Sequence, residues 1–223
     1  MGKFVIVGGD TGSGKSRSLK NLESKSSFLI NVLGKDLPWK SSKQVFNKSN
    51  SYITEKYEDI MSLLRKADNN KEIKTFIIDD IGFLMTTELF NRSKETGYTK
   101  FTEIGKHMQQ LIQAIKYLRD DLVVVAMFHT DFIKSDDINI KLKLKTIGQL
   151  LEDKYNPLAT TAIALFTYVK LEENTPAKYY FVINKAILDG IEVPAKTPED
   201  MFEETLIEND LSLVINRINE YYN

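Results

Sequence analysis

Apolar residues gather in five short runs along the chain, at 3–7, 27–32, 74–78, 122–128 and 161–169. Each is rich in Val, Ile and Phe and almost continuously apolar. Such runs predict strands buried on both faces, as in a parallel sheet covered by helices. The segments between them are long enough for helices. Across 102–119, Ile104, Met108, Leu111, Ile112, Ile115 and Leu118 recur at three- and four-residue steps, which predicts one helix with a single inward face. A shorter helix is expected over 57–66, with Ile60, Leu63 and Leu64 inward. Beyond Asp131 the texture changes. Residues 138–145 alternate strictly between apolar and polar, the pattern of a half-exposed strand. A helix over 147–154, a hairpin pairing 161–171 with 178–187, and a closing helix over 210–222 complete the expected elements. The 34–51 stretch reads as a long polar loop carrying Lys35, Lys40, Lys43 and Lys48.

With 223 residues, 42% hydrophobic and 27% charged, the composition fits one α/β domain. The expected subdivision is a core at 1–135, a strand and hairpin extension at 136–190, and a tail with its helix at 191–223. No apolar run approaches the ~18 residues of a membrane span, and the first strand starts too early to leave room for a signal peptide. The absence of cysteine excludes disulfides and thiolate metal sites and fits the cytoplasm. The formal net charge of −1 means that any nucleic-acid contact must come from a local patch.

The first apolar run empties into Gly8-Gly9-Asp10-Thr11-Gly12-Ser13-Gly14-Lys15-Ser16-Arg17. Residues 9–16 follow the spacing G-x-x-x-x-G-K-S between an expected strand and an expected helix, the context in which this motif forms a phosphate-binding loop. Glycines let the backbone wrap an anion with its N–H groups turned inward. Lys15 is placed to neutralise the β- and γ-phosphates, and the Ser16 hydroxyl to ligate Mg²⁺. The third run ends in Asp79-Asp80. A carboxylate at the end of a buried parallel strand belongs at the sheet edge where the loop lies, so Asp79 is assigned to the Mg²⁺ shell. Asp80 either polarises the attacking water or caps the following helix. His129, with Thr130, ends the fourth run at the same edge. It is either a γ-phosphate or water contact or a satisfied edge residue.

Lys141, Lys143 and Lys145, spaced by two, project from one strand face. They form either a solvated edge or a surface that meets phosphates of DNA or of a neighbouring subunit's ATP. Trp39, Phe46, Tyr52, Phe128 and Phe132 are core residues or base-stacking platforms. Arginine is limited to Arg17, Arg65, Arg92, Arg119 and Arg217, which argues against the arginine-rich lid of a small-molecule kinase. Arg92 and Arg217 are candidate trans-acting fingers.

Taken with the stretches 30–39, 77–80, 97–105, 128–130, 143–148, 195–202 and 207–211, the 9–16 loop resembles phage-encoded RecA-core ATPases. These are the Sak-type annealing and recombination proteins, often described only as AAA family ATPases. The resemblance implies a RecA-like P-loop core, ATP and Mg²⁺ as cofactors, and assembly into rings or filaments. It also implies work on single-stranded DNA, with a phage single-strand binding protein as a further partner. In this reading Lys15, Asp80 and His129 are catalytic. A helicase-loader AAA+ protein remains an alternative, because residues 77–82 also suit that group. So does a nucleotide-binding regulatory module with negligible turnover, because Asp80 stands where AAA+ enzymes carry glutamate.

Overall fold

A computed structural model describes residues 2–134, 140–147 and 155–222. The apolar runs form the strands β1 (Lys3–Gly9), β2 (Ser27–Asn31), β4 (Thr75–Asp79), β5 (Val123–Lys134) and β7 (Ile163–Lys170). The short strands β3 (Ser51–Ile53), β6 (Ile140–Leu144), β8 (Lys178–Val182), β9 (Ala186–Leu188), β10 (Ile191–Val193) and β11 (Leu206–Glu208) complete the sheets. The helices are α1 (Ser42–Val45), α2 (Tyr57–Asn69), α3 (Gly82–Asn91), α4 (Thr99–Ile115) and α5 (Leu211–Tyr222). The central order is β11-β8-β7-β1-β5-β4-β2-β3. Pairing is parallel from β7 to β3 and antiparallel at β7–β8 and β8–β11, so the sheet is mixed but mostly parallel.

Side-chain alternation along these strands divides the core into two layers. Phe4, Ile6, Ile30, Phe76, Ile78, Val124, Ala126 and Phe128 meet α2, α3 and α4 on one face. Val5, Val7, Leu29, Ile77, Val125 and Leu165 meet Leu19, Leu22 and the apolar side of α5 on the other. The helices flank the sheet on both faces, as the continuous apolar strands require.

Three expectations need correction. The helix expected after residue 16 is only a single 3₁₀ turn, Ser16–Leu19. Its sequence is serine-rich, and Ser18 Oγ donates to the Lys15 carbonyl at 2.6 Å, a local bond that competes with helix propagation. Leu211, Val214, Ile215 and Ile218 of α5 cover the face that a longer helix would occupy. Second, the fourth run does not stop at Phe128. β5 continues to Lys134, leaving β1 after the Gly9–His129 register and pairing with β6 from Thr130 onward. Third, the polar stretch after β2 is not all loop, since it contains α1 and buries Phe46.

The helix expected over 147–154 lies, apart from residue 147, outside the described residues. Among the described residues no helix is long and apolar enough to cross a membrane.

Candidate functional site

β1 delivers the glycine-rich loop to the carboxyl edge of the sheet, where β4 and β5 also end their pairing with it. Space at Gly9 is nil: a Cβ there would stand 1.9 Å from Thr167 Oγ1 and 2.5 Å from Ser13 Oγ. Gly14 has φ +102°, a conformation that L side chains avoid. Polar side chains tie the intervening turn together. Thr167 Oγ1 donates to Ser13 Oγ at 2.6 Å, and Ser13 Oγ donates to the Asp10 carbonyl at 2.6 Å. Thr11 N–H donates to Asp10 Oδ1 at 2.7 Å. Gly9→Ala is therefore expected to destabilise the fold by ~1–3 kcal/mol through overpacking, read as a lower melting temperature in thermal unfolding. An unchanged melting temperature would show that Thr167 and Ser13 yield freely.

Lys15 is buried, and its ammonium donates to the carbonyls of Gly9 at 2.8 Å and Asp10 at 2.9 Å. Burial lowers its pKa, against the opposing pull of the Asp80 and Asp79 carboxylates. The loop thus folds around its own cation, which lies beside Gly12, Gly14 and Ser16 on the wall of a 430 Å³ cavity. On the outer side of that cavity the Arg17 guanidinium lies 4.8 Å from the centre of the Tyr179 ring.

Ser16 and Asp79, 63 residues apart, meet directly: Ser16 Oγ donates to Asp79 Oδ2 at 2.8 Å. The other oxygen, Asp79 Oδ1, is buried without a hydrogen-bond partner among the described residues. Burial, together with the adjacent Asp80 charge, raises the Asp79 pKa above the ordinary carboxylate range. Lys35, the Ser16 hydrogen bond and Lys15 offset only part of that. A buried, partly charged oxygen with no donor is what a small hard cation would satisfy, and Ser16 supplies a second oxygen beside it. The residues present fit Mg²⁺.

Asp80 does not cap α3. Its backbone carbonyl accepts from Phe83 N–H at 2.9 Å, while Ile81 occupies the N-cap position with no side-chain cap. Instead the Asp80 backbone takes φ +60°, and its side chain, 1% exposed, turns toward Lys35 and His129. Lys35 Nζ donates to Asp80 Oδ2, and His129 Nε2 stands 3.1 Å from Oδ1. Burial pushes the Asp80 carboxyl up, but these two partners together outweigh it and hold its pKa below the ordinary range. His129 also packs edge-on against Phe83, with ring centres 5.5 Å apart. The structure therefore brings together the loop, Ser16, Asp79, Asp80 and His129.

Lys141 and Lys143 lie on β6, beyond the point where β5 leaves β1, whereas Lys145 falls just past its end, so the expected strand does not carry all three lysines. Lys141 pairs with Glu192 at 3.0 Å, Lys145 is exposed, and Lys141 and Lys143 line a different, 620 Å³ cavity with Pro157, Pro194 and Lys196. Arg92 is held within the chain by Glu88, Glu95 and Glu103. Arg217 contacts the Met201 carbonyl and Glu220. Of the aromatic candidates, Phe46 and Phe128 are core, whereas Tyr52 and Phe132 are exposed.

Sequence reasoning placed Lys35 only among the lysines of the 34–51 loop and passed over Thr167 and Tyr179. Lys35 carried a faint signal, a Gly-Lys pair directly after a buried strand. Thr167 and Tyr179 carried none, because their role depends on which strands become neighbours of β1.

No protein-family model matches this chain, and no match was found among the curated proteins compared with it.

Proposed function

We propose that this chain is a Mg²⁺-dependent ATPase with a RecA-like P-loop core, acting with single-stranded DNA in phage recombination, annealing or replication. The observation that carries this reading is the Ser16–Asp79 hydrogen bond of 2.8 Å beside the loop that encloses Lys15. It joins the hydroxyl and the carboxylate that a metal-bound triphosphate needs, at the sheet edge where the phosphate loop opens.

In this reading Lys15 leaves the Gly9 and Asp10 carbonyls for the phosphates, and the loop N–H groups face the same anion. Ser16 and Asp79 hold Mg²⁺, which when bound would neutralise phosphate charge. Asp80 holds the attacking water and accepts its proton, while His129 keeps the carboxylate oriented. Arg17 and Tyr179 line the same cavity and cover the rest of the nucleotide. β5, which carries His129, lies between β1 and β4 in the sheet order, so His129 stands in register with Gly9 and within 3.1 Å of Asp80.

A second reading, nucleotide binding with negligible turnover, draws on the Asp80 pairing with Lys35, which occupies one carboxylate oxygen. ATPase measurements with and without single-stranded DNA decide between them. The first reading expects phosphate release that rises with added DNA; saturable ATP binding with no phosphate release in either condition favours the second.

DNA engagement is assigned to the lysine face of β6, and nucleotide-driven assembly into a ring or filament accompanies it. Triple replacement of Lys141, Lys143 and Lys145 by alanine is expected to weaken DNA binding and flatten its salt dependence. The slope should become shallower by up to ~0.7 for each phosphate of a single strand that is no longer neutralised. An unchanged slope would return these lysines to a solvated edge. Mass measurement with and without an ATP analogue checks assembly, and a monomer in both would remove it from the reading.

A further inference from the structure

Lys35 is an exposed lysine with a buried partner. Its backbone is fixed from below: Asn31 Nδ2 donates to the Lys35 carbonyl at 2.7 Å, and Gly34, with φ +64°, closes the turn by donating its N–H to the Asn31 carbonyl at 3.3 Å. Asn31 is itself buried and lies opposite Asp79 in the β2–β4 register. The lysine therefore starts from a rigid point level with Asp79, while its side chain is 40% exposed and reaches over to the buried Asp80. Its flexible stem lines the same cavity as Lys15, Ser16 and His129.

We propose that Lys35 reports the terminal phosphate of a bound nucleoside triphosphate. In the ligand-free protein it is parked on Asp80 Oδ2. When a triphosphate enters, Lys35 leaves Asp80 for the terminal phosphate, and the vacated Oδ2 holds the attacking water. This inference rests on the nucleotide-binding reading above and adds the way in which that site tells a triphosphate from a diphosphate.

Four features support the exchange. Asp80 and Asp79 are adjacent buried carboxylates, so the site starts out rich in negative charge, and a triphosphate adds more. Of the other cations near Lys15, Arg17 lines the same cavity with its guanidinium over the Tyr179 ring, and Arg92 and Arg217 are engaged elsewhere in the chain, whereas Lys35 is already held at Asp80. His129 stays 3.1 Å from Asp80 Oδ1, so the carboxylate keeps a polar neighbour after Lys35 departs. The strained φ of +60° at Asp80 holds its side chain where both partners can reach it. In the hydrolytic step the water oxygen bonds to the terminal phosphorus. The bond from that phosphorus to the bridging oxygen breaks, its electron pair stays on the diphosphate, and the water proton passes through Asp80 to the released phosphate.

Calorimetric titration of ATP and ADP with Mg²⁺ into the wild type, Lys35→Ala, Lys35→Arg and Asp80→Asn tests this. Lys35→Ala is expected to weaken ATP by roughly tenfold or more and ADP by less than about twofold, with Lys35→Arg recovering part of the ATP preference. Asp80→Asn removes the parking place, so ATP affinity is expected to rise by roughly threefold or more while phosphate release falls. A merely structural pairing would lower affinity for both nucleotides in both variants. Equal losses of ATP and ADP in Lys35→Ala, or weaker ATP binding in Asp80→Asn, would overturn the inference. Failure of the wild type to bind either nucleotide would instead overturn the reading on which it rests.

Discussion

Lys15→Ala is expected to weaken ATP binding by about 10²- to 10³-fold, the equivalent of ~3–4 kcal/mol, for removing one partner of a desolvated charge pair. The size follows from burial. Lys15 is almost fully enclosed and its ammonium is held by the Gly9 and Asp10 carbonyls, so it is already desolvated at the place where the proposed function puts the phosphates. The nucleotide replaces two carbonyl acceptors by charged oxygens, and the alanine variant can offer neither. The variant also leaves the Gly9 and Asp10 carbonyls without their donor and the buried Asp79 and Asp80 carboxylates without a nearby cation, so a lower melting temperature is expected beside the loss of affinity. Equilibrium binding at constant salt, accompanied by a thermal melt of the same preparation, separates the two effects. Retained affinity in a folded variant would show that the loop is not the phosphate site.

Asp79→Asn is expected to act in opposite directions on function and stability. Metal-dependent ATP binding should fall by at least about tenfold, because the carboxylate that faces Ser16 loses its charge. The ligand-free protein should become more stable at neutral pH. The sign follows from the raised pKa of Asp79: burial and the Asp80 charge disfavour its ionised form in the fold, so the ionised group costs stability above its folded pKa. That cost fades as pH falls through the raised pKa, where the group takes up a proton in the fold. The melting-temperature gain of Asp79→Asn, ~2–4 °C for each kcal/mol recovered, should therefore narrow as pH is lowered. A gain independent of pH, or a loss at neutral pH, would contradict this account. A residue that weakens the empty protein in order to hold a ligand is common at binding sites.

The central sheet was legible because strands buried on both faces leave no polar positions to confuse the pattern. Tyr57 opens α2 and Leu111, Ile112 and Ile115 lie buried in α4, as the periodicity of these segments requires. Gly9, Lys15, Ser16 and Asp79 could be placed from the sequence, since each is fixed by local spacing or by the end of a strand. Asp80 was ambiguous in the sequence because water polarisation and helix capping ask for the same residue type. Only the positive φ, which turns the carboxylate toward Lys35 and His129, removes the capping alternative. His129 was placed at a strand end, yet β5 runs on, because its partner changes from β1 to β6 with no break in the backbone. The short turn after Ser16 could not be foreseen either: whether that segment winds into a helix depends on α5, almost two hundred residues later.

That last dependence bears on the order in which the protein is built. The wall behind the loop comes from the other end of the chain: Asn21 Nδ2 donates to Asp210 Oδ2 at 2.7 Å across a separation of 189 residues, and Asn209 packs against Gly14. During synthesis the loop emerges from the ribosome first and must wait, unsupported, for its last neighbours. Long-range closure of this kind slows folding and leaves the nascent N-terminal segment dependent on chaperoning or on rapid completion of the chain.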